Sequence, residues 1–206
     1  MVFFSGSAWA LIYDFEDDKQ ADDWAVLEGE GGIEDGMYIL KNTATKTGIA
    51  VIGDTGWTDC TIKCTASFVE GSVDNIGFVW RLGAANLFYV VSVRMDQRTG
   101  YCGCINGTWM NGGSPIIPMA FATVAGKDYE MELVVEGGKF QFFIDGADMG
   151  TWEDGQLASG RIGLRVYKAI MAIDDLEVNG PGIPASTTAV GSQGKLAVTW
   201  ASVRDR

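Results

Sequence analysis

The sequence predicts an all-β protein folded as a two-sheet antiparallel jelly-roll sandwich, and three observations carry that prediction. Apolar residues alternate with period two in short runs along the chain, and helical periodicity does not rise above this in any window longer than about ten residues. The runs are separated by Gly, Asp and Asn, with 28 glycines but only four prolines in 206 residues, the texture of short strands joined by turns. Apolar residues make up 47% of the chain, including ten Phe, seven Trp and six Tyr. That is enough for one sizeable core in a single domain.

Eleven strands follow in order. LIYDF (11–15) comes first, and Asp35-Gly36 supplies a turn ahead of MYILKN (37–42). IAVIG (49–53) is next, and then DCTIKCTASFVE (59–70), in which Cys60, Ile62, Cys64, Ala66 and Phe68 share one face. NIGFVWRLG (75–83) alternates Gly77, Val79 and Arg81, and LFYVVSVRMD (87–96) alternates Val90, Ser92 and Arg94. YCGCING (101–107) precedes a long loop with Trp109 and the stretch Ser114 to Pro118. DYEMELVVEGG (128–138) places Tyr129, Met131, Leu133 and Val135 opposite Glu130 and Glu132, and Glu136-Gly137-Gly138 turns tightly into KFQFFIDG (139–146). Asp145-Gly146 and a short polar stretch to Trp152 form the next turn. GRIGLRVYK (160–168) alternates Arg161, Gly163 and Arg165, and AIDDLEVNG (172–180) ends the series. Such short links imply antiparallel meanders and Greek-key crossings.

The formal charge of −12 argues against nucleic acid as a partner and against an anionic membrane surface, and no apolar run is long enough to span a bilayer as a helix. The chain has no histidine. That removes imidazole-based nucleophile systems and His-bearing zinc sites, so hydrolytic chemistry would rest on carboxylates. Cys60 with Cys64 and Cys102 with Cys104 lack CxxC spacing, which leaves buried free thiols or cross-strand disulfides.

The ends differ from the middle. MVFFSGSAWA (1–10) reads as the remnant of a signal peptide ending in Ala8-Trp9-Ala10, which would place the protein outside the cytoplasm or on the cell surface, or else as a first strand. After the domain at 11–180, residues 181–194 have linker composition and 195–206 form a C-terminal tail. That tail is either a loose terminus or a strand for self-association.

Four phrases in succession carry a resemblance: YDFEDD followed by Trp24; GFVWRLGAANLFYVVSVR; YEMELVVEGGKFQFFIDGADMG; and ASGRIGLRVYKAIMAIDDLEV. Over residues 11–180 the chain resembles the concanavalin A-like lectin/glucanase superfamily, in particular laminin G-like and family 16 glycosidase-related domains. The resemblance implies two curved sheets with a glycan on the concave face. It also implies a structural Ca²⁺ held by an acidic residue of the first strand and an aspartate of the last, with backbone carbonyls. The matching residues are Asp14, Glu16, Asp17 and Asp174. Simple alternation sets Asp174 in phase with Ile170, Ala172, Leu176 and Val178, where an aspartate needs a partner or a metal; the alternative is a solvated strand end.

The ExDxxE pattern of family 16 catalysis is missing, and its nearest substitute, Glu130 with Glu132, is expected on the solvent face. The sequence therefore points to a non-catalytic carbohydrate-binding domain. Alternatives are a self-assembling subunit that uses the tail, and an enzyme of the 3-keto-disaccharide hydrolase type. For a glycan the candidates are Arg81, Arg165 and Arg94, which offer forked donors, and Trp80, Tyr89 and Trp109, which offer stacking faces.

Overall fold

Two strands much longer than the sequence pattern implies organise the sandwich. The computed structural model describes residues 10–69, 74–84, 86–95, 99–121 and 123–186, the side chains of Thr45 and Lys46 excepted. Its strands are β1 (Leu11–Tyr13), β2 (Ala25–Glu28), β3 (Glu30–Glu34), β4 (Met37–Ile52), β5 (Cys60–Phe68), β6 (Asn75–Ala84), β7 (Leu87–Arg94), β8 (Thr99–Ile105), β9 (Thr108–Trp109), β10 (Ile117–Met119), β11 (Asp128–Glu136), β12 (Lys139–Ile144), β13 (Ala147–Glu153) and β14 (Arg161–Asn179). Short 3₁₀ turns occupy Asp18–Asp23 and Met110–Gly113.

The expected strands at 37–42 and 49–53 are one strand, β4, and those at 160–168 and 172–180 are one strand, β14. These two strands pair antiparallel along most of their length and run through both layers of the sandwich. In one layer the first half of β14 lies between β4 and β6, followed by β7 and β8, with β2 on the far side of β4. In the other, the second half of β14 lies beside β5, followed by β11, β12 and β13, with β1 and β3 toward the opposite edge.

Left-handed residues make β14 bend without leaving its ladder. Ile162, Leu164 and Val166 face the core. Lys168 (φ 49°) then shifts the phase to Ala169, Met171 and Ile173, and Asp175 (φ 49°) shifts it back to Leu176 and Val178. Each sits at a register irregularity, the signature of a β-bulge. On β4 the residues between Asn42 and Thr47 bow out opposite the first bulge. Asn42 closes that bow, donating from Nδ2 to Thr47 O (3.2 Å) and accepting from Ala44 N (3.2 Å).

The main core fills the space between layers. Trp80 lies at its centre, with ring centroids of Tyr89, Phe140 and Tyr101 at 5.6, 5.1 and 6.2 Å. Cys60, Ile62, Cys64, Ala66 and Phe68 all point into this core. All four cysteines are buried free thiols. Cys60 and Cys64 lie about 13 Å apart along one strand, beyond disulfide reach.

Residues 181–186 are not a detached linker. Ser186 turns back onto β1, where its N donates to Ala10 O (2.8 Å) and its Oγ accepts from Ile12 N (2.6 Å) and donates to Ile12 O (3.0 Å). This covers polar groups on the β1 edge that β14 does not use. Residues 1–9 and 187–206 lie outside the described residues, and with them the signal-peptide remnant, most of the linker and the tail. No helix among the described residues is long and apolar enough to cross a membrane.

Candidate functional site

The outer face of the first layer carries a second apolar cluster: Ile49 and Val51 of β4, Val79 and Leu82 of β6, Phe88 and Val90 of β7, and Cys102 and Cys104 of β8. Leu27 from one edge and Trp109 and Met110 from the other pack against it. Four strand spacings, about 19 Å on a flat sheet, separate β14 from β9. Yet the Arg165 guanidinium lies 5.1 Å from the Trp109 ring centroid. The two long side chains reach toward each other over the apolar cluster, so the floor between them is recessed, and this face is called the concave one.

Three strands build the polar part of that face, and their register decides which residues meet. Tyr167 of β14, Asn75 of β6 and Arg94 of β7 form one cross-strand row; Arg165, Gly77 and Ser92 form the next. Arg165, 7% exposed, donates from Nη1 to Asn75 Oδ1 (2.7 Å) and from Nη2 to Thr47 Oγ1 (3.3 Å). The Tyr167 ring lies 6.0 Å from its Cζ. The buried Nε of Arg165 has no hydrogen-bond partner among the described residues. Burial lowers the Arg165 pKa to about 10, so the group is still charged at neutral pH. Arg94 is held by Asp74 at 2.7 Å.

Of the sequence candidates, Arg165, Arg94 and Trp109 therefore share one face, while Trp80, Tyr89 and Arg81 do not join them. Trp80 and Tyr89 are 0% exposed between the layers and have no surface to offer a sugar. The Tyr89 hydroxyl bonds to Asp154 and accepts from Leu157 N (2.9 Å). Arg81 departs from the alternation with Gly77 and Val79 because it is left-handed (φ 51°) at a register shift of β6. Its side chain, 4% exposed, donates to Leu157 O (2.6 Å) and to Gly137 O, and its Cζ lies 5.3 Å from the Phe140 ring centroid. It ties β6 to the β11–β12 turn and to the segment before β14.

The opening carboxylates serve local backbone geometry. Asp17 caps the first 3₁₀ turn by accepting from Lys19 N (3.0 Å), and Asp14 accepts from Gln20 Nε2 (2.8 Å), whose Oε1 accepts from Phe15 N (2.7 Å). The Glu16 carboxylate lies beside Gly36. Because of the bulge at Asp175, Asp174 is not in phase with the core: it stands opposite Thr65 on the outer face and accepts from Asp175 N (2.8 Å). Among the described residues, no three or more His, Cys, Asp or Glu side chains converge as a metal-ligand group. Glu130 is exposed and bound to Lys63 at 3.0 Å, and Glu132 stands opposite Lys63 on the same convex face.

Tyr167, Asn75 and Thr47 were absent from the sequence candidates. Tyr167 is in phase with Arg165 and Asn75 with Gly77, which alternation alone marks. Their meeting depends on cross-strand register, which it does not.

No protein-family model matches the sequence, and no curated protein matches it. Solved structures do. The carbohydrate-binding module CBM66 from Bacillus subtilis aligns with TM-score 0.69 at 16% identity, over 77% of this chain and 96% of its own. The Emp46p carbohydrate recognition domain in its potassium-bound form gives 0.61 at 14%, over 82% and 95%. A Bacillus subtilis protein of unknown function with a galectin-like fold gives 0.60 at 15%, over 84% and 96%. The likeness is one of fold. It agrees with the two-sheet antiparallel β-sandwich that the sequence predicts.

Proposed function

We propose that the protein is a non-catalytic carbohydrate-binding domain whose ligand lies on the concave face beside Arg165, Trp109 and Tyr167. The observation that carries this reading is a charged arginine with two aromatic rings beside it, Trp109 at 5.1 Å and Tyr167 at 6.0 Å, on one sheet face. Aromatic faces stack on the apolar faces of sugars, and a guanidinium donates paired hydrogen bonds to their oxygens. The fold likeness to a carbohydrate-binding module and a carbohydrate recognition domain supports the same reading. An exported location belongs to this proposal as well.

The test is calorimetric titration of the protein and of Trp109→Ala against a glycan panel. Loss of the ring is expected to weaken a bound glycan by about tenfold. Unchanged affinity in the variant would overturn the assignment of this face.

A structural Ca²⁺ at Asp14, Glu16, Asp17 and Asp174 is a separate proposal. Its support is the pairing of β1 with the end of β14, where Tyr13 stands opposite Leu176. With no cluster of three such side chains among the described residues, backbone carbonyls would supply the rest of its six to eight oxygens.

A further inference from the structure

Although the chain carries −12 overall, its concave face concentrates positive charge. Arg165 and Arg161 lie on this face by register, Arg165 opposite Gly77 and Arg161 opposite the cluster residue Leu82. Arg94 follows in the adjacent row, and Lys168 has its ammonium 5.3 Å from the Tyr167 ring centroid. Of the three arginines, Arg94 has Asp74 at 2.7 Å. Arg165 bonds only to the neutral Asn75 and Thr47 side chains among the described residues. Its Nε and that of Arg161 are both buried without a hydrogen-bond partner among the described residues.

The carboxylate that acts on Arg165 is Asp74, which already holds Arg94 and accepts from Asn75 Nδ2; one carboxylate shared between two arginines leaves this face positive, and an anion arriving from solution relieves the cost of burying that charge. Arg161 and Arg165 are four residues apart on one strand, about 13 Å, with Gly163 between them. Across that gap lie the apolar side chains of Val51, Val79 and Val90. The pattern is a cation at each end of a smooth, apolar floor. It suits a chain of sugar rings bearing regularly spaced anionic groups, since the planar fork of arginine matches a carboxylate.

We infer that the ligand of this face is an acidic oligosaccharide of the uronic-acid class, its carboxylates received by Arg165 and Arg161. This inference rests on the carbohydrate-binding reading above and narrows it.

The experiment is calorimetric titration of the full chain with three uronate oligosaccharides (galacturonate, mannuronate–guluronate and glucuronate-containing), each beside its carboxyl-reduced counterpart, and with a sulfated neutral oligosaccharide. At least one uronate is expected to bind about tenfold or more tightly than its reduced form, with affinity falling as salt rises. Arg161→Gln is expected to remove most of that preference, lowering the affinity for the uronate far more than that for its reduced form. Arg165→Gln adds a second reading provided it folds; the half-buried Arg161 keeps the test valid if it does not. Equal binding of acid and reduced forms, both weakened by Trp109→Ala, would overturn this inference and leave the carbohydrate reading standing. Preference for the sulfated probe over every uronate would overturn it as to carboxylate. Binding of no glycan by folded protein would overturn both.

Discussion

Replacing Arg81 by lysine tests whether this residue is a structural tie. Both residues carry the same penalty for the left-handed backbone at this position (φ 51°), so the comparison isolates the guanidinium. Arg81 donates from one nitrogen to Leu157 O and from another to Gly137 O, and lies over Phe140. One ammonium cannot serve two carbonyls on separate segments with the geometry of a planar fork. Its ion pair with Asp59, at 3.7 Å to a carboxylate with a half-exposed side chain, adds little. A hydrogen bond to a charged group contributes about 1.5–3 kcal/mol, and a buried acceptor left without a donor costs a further 1–3 kcal/mol. Allowing for partial replacement by the ammonium, the loss is about 3 kcal/mol. At roughly 2–4 °C per kcal/mol for a domain of this size, Tm falls by about 6–12 °C. Urea unfolding followed by tryptophan fluorescence gives the free energy, and a thermal scan gives Tm. Glycan affinity of the folded variant should stay at the wild-type value. A loss under about 1 kcal/mol, or intact stability with weakened glycan binding, would refute the structural role.

Three further outcomes follow from the buried groups and the acidic turn. Burial pushes the Cys60 thiol and the Tyr38 hydroxyl up to about 12, from 9.0 and 10.0 respectively. Their protonated forms are favoured by folding, so that stability is fully present below about pH 9 and is lost as pH rises toward 12. Urea midpoints measured from pH 7 to 11 should therefore hold to about pH 9 and then fall; a midpoint that rises above pH 9 would contradict this. With all four thiols free and buried, iodoacetamide should label none in native buffer and all four in urea, and a reductant should leave Tm unchanged. A Tm that drops with reductant would mean a disulfide. For the calcium proposal, excess Ca²⁺ over EDTA should raise Tm in the wild type and not in Asp174→Asn, and no rise in the wild type would remove the ion.

The sandwich was legible in the sequence because alternation reports which residues of a strand share a face. It set Cys60, Ile62, Cys64, Ala66 and Phe68 together, and they are together in the core; it set Glu130 and Glu132 outward, where they meet Lys63. Alternation fails where one residue turns left-handed. At Arg81 the turn carries the side chain off the face of Gly77 and Val79. At Lys168 and Asp175 it inverts the phase of β14, which is why Asp174 looked like a buried carboxylate and is not one. The short segments that became β2 and β3 have no apolar alternation to announce them, and are extended because β4 supplies their ladder partners. The face around Arg165 was legible only in part, for phase within β14 marks Arg165 and Tyr167, but register across β6 and β7 brings Asn75 and Arg94 to them.

The most direct measurement of the central claim is chemical-shift mapping of the isotope-labelled protein with the tightest-binding glycan of the panel. Binding at the concave face predicts that the Trp109 indole, the Arg165 guanidinium and Tyr167 shift while Lys63, Glu130 and Glu132 on the convex face stay fixed. Another recess exists, a cleft of about 470 Å³ lined in part by Asp59, Glu136, Gly180 and Ile183. Shifts confined to that cleft or to the convex face, with Trp109 and Arg165 unmoved, would contradict the account.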